Sequence, residues 1–160
     1  MTGYFAQAPR VLSRDDHVPA RVLLMGALGV TPYIDRAMEV LRLAERGHDD
    51  EHRALVIARD GTVAGLALFG AVAGAVGVSR VHAAVVAPSV SAADVGERIV
   101  TAVIDDSRHR GDRLLVAELP DDPAMSQARA LLSAAGFAEE GRVPDYFRDG
   151  VALTLLRREL

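Results

Sequence analysis

The chain reads as a single α+β domain in which about four helices flank one mixed, mainly antiparallel sheet of about seven strands. Three observations carry this. The predicted elements run strand, two helices, three strands, helix, strand, helix, two strands, which lacks the strict β–α alternation of a doubly wound fold. Half of the 160 residues are hydrophobic and 25% are charged, an ordinary balance for a chain that buries about two thirds of its unfolded surface in one core. Apolar strand-like runs separated by turns fill residues 53 to 88, with helical spacing on either side.

Each element has its own signal. RVLSR (10 to 14) is a short first strand, and Asp15 or Asp16 then caps a helix carrying Val18, Val22, Leu23 and Met25, which ends at Gly29. Thr31 caps a second helix, with Pro32 in its first turn. Ile34, Met38, Leu41 and Ala44 or Glu45 follow on one face, and Gly47 stops it. RALVIAR and VAGLALFGAV, joined by Asp60-Gly61, form a hairpin, and VSRVHAAVVAP (78 to 88) is a third strand. In the long helix from Ser91 to Gly111, Val95, Ile99 and Val103 make one row and Val100 and Ile104 the next. RLLVAELP (113 to 120) is a buried strand. The helix 121–136 places Ala124, Ala128, Leu131, Leu132 and Ala135 on its core row, and two strands meet at Asp149-Gly150 to close the chain.

Composition narrows the function classes. A formal charge of −4 with scattered basic residues argues against a nucleic-acid binder. The absence of cysteine removes disulfides, thiolate metal sites and cysteine nucleophiles. MTGYFAQAPR has no basic segment followed by an apolar run, so no secretory signal is read and a cytoplasmic location is expected. Residues 62–78 are uncharged, but this short run contains glycines and follows a turn, so it reads as buried strand rather than membrane span. The same apolar hairpin would also suit the edge of a homodimer. GHDDEH (47 to 52) resembles a metal cluster only in composition and reads as a hydrophilic loop, so no metal is expected.

A strand ending in VVAP directly before a long helix, Ala135-Gly136-Phe137 closing the next helix, and PDYFRDG at 144–150 occur in the order and spacing of one superfamily. Over about residues 53–160 the chain resembles the Gcn5-related N-acetyltransferases (GNAT), with a looser likeness across the N-terminal helices. The resemblance implies acetyl-CoA as acyl donor and a primary amine as acceptor, by direct attack. In that superfamily acceptors range over antibiotics, polyamines, amino acids and protein N-termini, and the sequence leaves this choice open.

The resemblance also implies roles for residues. The backbone at Val85 and Val86 would pair with the pantetheine arm where this strand splays from its neighbour. The family's pyrophosphate loop falls on Ser91, Ala92, Ala93, Asp94, Val95 and Gly96, and only Gly96 matches its glycines. Asp94 carries a charge of the wrong sign for a phosphate and reads more readily as a capping residue with Ser91. Arg80, His82 and Ala84 share a strand face under alternation. The carboxylate expected near Arg80 is missing, so His82 is the candidate proton acceptor, or else a hydrogen-bonded sheet histidine. Leu132 stands where relatives have a thiolate-protonating Tyr, and Met125 where they have a CoA-contacting Asn. Tyr146 is then the remaining acid or gate, or else a tyrosine shielding the sheet. These departures keep open a non-catalytic binding or regulatory module with a weakened CoA site.

Overall fold

A computed structural model of the chain describes residues 7–90 and 92–160. The element order is β1 (Arg10–Val11), α1 (His17–Leu28), α2 (Ile34–Arg46), β2 (Arg53–Arg59), β3 (Thr62–Ala71), β4 (Val78–Val86), α3 (Ala92–His109), β5 (Leu114–Pro120), α4 (Ser126–Ala134), β6 (Ala138–Arg148) and β7 (Val151–Glu159). Single 3-10 turns at Arg14–Asp16 and Pro123–Met125 lead into α1 and α4. The strands form one seven-stranded sheet in the order β1-β2-β3-β4-β5-β7-β6. Every neighbouring pair is antiparallel except β4 and β5, so the predicted fold class holds.

Both faces of the sheet are covered. α3 and α4 close one core around Phe69, Ile99, Leu115 and Leu132, while α1 and α2 close the other around Leu24, Val40, Leu41, Leu66 and Leu68. The two predicted rows of α3 are all buried, because helical spacing leaves one face of a charged helix apolar. Two glycines set how tightly α3 docks: a Cβ on Gly65 of β3 would press on Val95, and one on Gly96 would overlap Leu131 of α4. The uncharged run 62–78 is β3 plus a turn. β3 is paired along both edges and nearly all buried. No helix among the described residues is long and apolar enough to cross a membrane.

Several local expectations are corrected. β1 is two residues long, because the chain turns at Ser13: the buried Asp16 carboxylate accepts from the Ser13 N–H at 2.7 Å and from Arg10 Nη1 at 2.6 Å. α1 buries Ala20, Leu23, Leu24 and Leu28, while Val18, Val22 and Met25 are exposed. With apolar residues on both sides of α1, spacing alone did not choose the inward face. Thr31 does not cap α2. Its hydroxyl donates to the Leu28 carbonyl, Tyr33 takes the cap position, and the helix buries Ala37 and Val40 beside Leu41. On the row expected for α4, Ala124 is exposed; Leu131 and Leu132 are buried in the α3–α4 core, and Met125 is buried in the other.

Candidate active site

Two irregular strands shape the site. In β4, Leu68 pairs with Ala83 and the next residue, Phe69, pairs with Val81, so His82 is the extra residue of a β-bulge. The bulge breaks the alternation beyond it. Val81, Ala84 and Val86 face the α3–α4 core, while Ala83 and Val85 face α1 and α2. Ala84 therefore does not share a face with His82, as strict alternation required. In β6 the ladder to β7 is interrupted between Val143 and Arg148. Pro144 has no N–H to give, and Asp145 has φ 54°, its carboxylate accepting from the Gly150 N–H at 2.7 Å. Tyr146 and Phe147 are thereby released to line the cleft below.

The parallel pairing of β4 with β5 covers only Val78–Val81 against Leu114–Ala117. Beyond it β4 stays with β3 as far as Val86, and β5 stays with β7 as far as Pro120. The two central strands thus diverge into a V, and no ladder partner on the β5 side meets residues 82–86 among those described. Arg80 and Glu118 form an ion pair of 3.2 Å near the vertex. The V opens into a cleft of about 1080 Å³, walled by α1, α2, the start of α4 and the β6 bulge, and lined mainly by apolar groups.

His82 lines this cleft. Burial, then the charges of Arg36 and Arg80, push its pKa down to about 4, although a hydrogen bond with the Glu51 backbone acts the other way. Gly70 makes that contact possible, since a Cβ there would collide with the Glu51 carbonyl. At neutral pH the ring is therefore uncharged and can accept a proton through one nitrogen. The His52 ring stacks on it at 6.2 Å between centroids, and His52 Nδ1 lies 2.9 Å from Asp49 Oδ1. Asp49 in GHDDEH thus orients a histidine, and among the described residues no group of three or more His, Cys, Asp or Glu could hold a metal ion.

An aromatic and ionic clasp spans the other end of the cleft. Tyr146 is 58% exposed and packs edge-on against Phe147, which packs edge-on against Tyr33. The Tyr33 hydroxyl donates to Asp122 Oδ2 at 2.8 Å, and Arg148 Nη2 donates to the same oxygen at 2.8 Å. The Ala124 N–H and Tyr33 hydroxyl keep the Asp122 carboxyl below its ordinary pKa, while burial and the Asp122 charge raise that of Tyr33. Arg148 thus ties the end of β6 to Asp122, just past β5.

Of the proposed donor-binding residues, the pantetheine candidates line the cleft, and none of the described phosphate-loop residues does. Val85 and Val86 lie on the diverging half of β4 and line it. Ser91 lies outside the described residues, and Ala92 begins α3. Ala93 and Asp94 are exposed in the first helical turn, where the helix dipole favours an anion. Val95 is buried in the core, and Gly96 lies more than a turn inside α3 against Leu131. Leu132 and Met125, standing at the two family positions that depart, are buried in opposite cores. Sequence reading missed Arg36, Glu118, Tyr33 and Phe147. Only Glu118, an acid near the end of an apolar strand, carried a local signal.

No protein-family model and no curated relative matches the chain. Solved structures do match its fold. A Desulfovibrio desulfuricans protein assigned to the GNAT family of acetyltransferases superposes with TM-score 0.83 at 24% identity, over 95% of this chain and 98% of that one. A Salmonella typhimurium protein assigned as an acetyltransferase, solved with its cofactor acetyl-CoA, gives 0.76 at 20% identity over 98% and 95%. The aminoglycoside 6'-N-acetyltransferase of Enterococcus faecium gives 0.77 at 13% identity over 96% and 97%. At these identities the likeness is one of fold.

Proposed function

We propose, from the GNAT fold that the chain shares with these structures, that the protein is an acyl-CoA-dependent N-acyltransferase that acylates a primary amine by direct attack. The divergence of β4 from β5 carries this reading. It leaves the inward peptide groups of residues 82–86 without ladder partners beside an apolar cleft, and such groups seek hydrogen bonds. The amide-bearing arm of acyl-CoA would satisfy them, with Val85 and Val86 as its partners. The first turn of α3, from Ala92 to Asp94, would meet its phosphates. Bound there, acyl-CoA supplies a thioester carbonyl as acyl donor and a thiolate as leaving group.

The chain's own residues then handle protons. His82, neutral at physiological pH, accepts the proton that the attacking nitrogen sheds as its bond to the carbonyl carbon forms. The positive field of Arg36 and Arg80 helps by favouring the unprotonated amine. Tyr146 donates its phenolic proton to the departing sulfur as the carbon–sulfur bond breaks, and solvent restores both groups. The amine nitrogen ends acylated and the sulfur ends as a thiol. Tyr33, Asp122 and Arg148 hold the β6 bulge so that Tyr146 stays over the cleft.

A second reading has its own support: Asp94 in the first turn of α3 and the buried Leu132 are poor CoA partners, as in a non-catalytic module. Calorimetric titration of acetyl-CoA into the pure protein separates the two. Saturable binding below millimolar concentration is expected. No binding at millimolar ligand would leave the non-catalytic module standing.

A further inference from the structure

A second cavity of about 240 Å³ opens beside His82 at the start of β4, and the acylation chemistry leaves it unused. Its walls carry Arg36, Arg80, His52 and His82, with Glu51 and the turn 71–73 behind them. Two cations there are incompletely satisfied. Arg80 reaches Glu118, but its Nε is buried without a hydrogen-bond partner among the described residues. Arg36, exposed on α2, makes neither a hydrogen bond nor an ion pair among the described residues. Glu51 is the one acid on the wall, and its backbone rather than its carboxylate is what engages His82. Around the corner the main cleft is apolar, with Val18, Val22, Leu119 and Phe147 among its lining residues. The site is thus bipolar, with an electropositive recess adjoining a greasy chamber and His82 at the boundary.

We propose that the acceptor is a free amino acid with an apolar side chain, its carboxylate seated in the recess between Arg36 and Arg80 and its amine beside His82. A carboxylate matches the planar forks of two guanidinium groups, and the Arg80 side chain, about a third exposed, and the exposed Arg36 can both present theirs to it. The recess sets two guanidinium groups against the single acid Glu51, and Arg36 has no carboxylate on it among the described residues, so a recess of this composition favours an anion. The apolar chamber takes the side chain, as concave sites usually do. The same two cations repel acceptors that carry several ammonium groups. The carboxylate also fixes the amine, since the two groups share one carbon and anchoring one places the other. Substrate class is deduced here on the premise of the transferase reading, although the carboxylate site itself is testable without acyl-CoA.

The probes are N-acetyl-leucine and N-acetyl-leucinamide, product-shaped molecules that differ only in the carboxylate. Both are titrated into wild-type and Arg36→Gln protein, alone and with CoA present, by calorimetry and by following the His82 ring signals in NMR spectra. Wild type is expected to bind the acid at least about tenfold more tightly than the amide, as for a charge-assisted hydrogen-bonded pair. The preference should shrink towards unity in Arg36→Gln and be partly kept in Arg36→Lys, which retains charge but loses the fork. N-acetyl-glycine should bind more weakly than N-acetyl-leucine. Equal affinity for acid and amide, binding of neither in both arms, or a preference that survives in Arg36→Gln overturns the proposal. Acetyl-CoA binding is measured on the same samples. Acid-selective binding without acetyl-CoA binding would sink the transferase reading and leave the carboxylate site intact.

Discussion

Replacing His82 by glutamine tests whether the central polar group of the cleft is uncharged in the folded protein. His82 is held at about 4 in the fold against 6.5 for an unperturbed histidine, by burial first and by Arg36 and Arg80 second. Between those two values the unfolded chain binds the extra proton and the native protein does not. The folded pKa lies below the unfolded one, so stability is full above about pH 6.5 and falls as pH drops towards 4. At about 1.4 kcal/mol per unit, the difference between about pH 7.5 and about pH 4.5 is roughly 2.5 kcal/mol. Urea denaturation of wild type and His82→Gln at both pH values isolates this contribution, because the remaining titrating groups are common to both proteins. Wild type should lose about 2.5 kcal/mol more than the variant. NMR titration of the His82 ring should show a midpoint well below the unperturbed value. An equal loss in both proteins, or a midpoint near 6.5, would refute the account of a desolvated imidazole between two cations.

Three further outcomes are expected. Asp94→Asn removes a carboxylate from the exposed first turn of α3 and should tighten acetyl-CoA binding about 3- to 10-fold by calorimetry; an unchanged Kd means that no phosphate lies within reach of that charge. Tyr146→Phe should lower kcat about 100-fold while leaving the acetyl-CoA Kd within about twofold, and an unchanged kcat would remove Tyr146 as the acid. Asp16 is held at about 2, first by its hydrogen bond from Arg10, so its contribution is present above about pH 4 and is lost as pH falls through about 2. Asp16→Asn should therefore cost about 2 kcal/mol at neutral pH in a urea melt, and the gap should close in acid.

Elements defined by local chemistry were legible in the sequence. The rows of α3 needed only a 3.6-residue period against charged neighbours, and the β2–β3 hairpin needed only Asp60-Gly61 between apolar runs. The partition of β4 was not legible, because a bulge at His82 is set by how β3 pairs with it and leaves no mark in VSRVHAAVV. The same holds for α1, where Val18 and Val22 are as apolar as Leu23 and Leu24, and only the sheet decides which pair is buried. His82 and Tyr146 are polar residues in otherwise strand-like stretches, and the fold brings both to one cleft. Arg36 could not have been chosen: it is one arginine among many on an amphipathic helix, and its importance comes from a strand that lies 44 residues away.

The two glycines that seat α3 make the fold a measuring device. With Gly65 against Val95 and Gly96 against Leu131, the helix sits in close contact with the sheet on one side and α4 on the other. The distance from its first turn to the diverging half of β4 is therefore a constant of the scaffold rather than an adjustable gap. On the proposed transferase reading, a donor anchored by its phosphates at one end would have its reactive end delivered to one place on β4. Donors with a shortened or lengthened arm would dock at one end and miss at the other, losing turnover before they lose affinity.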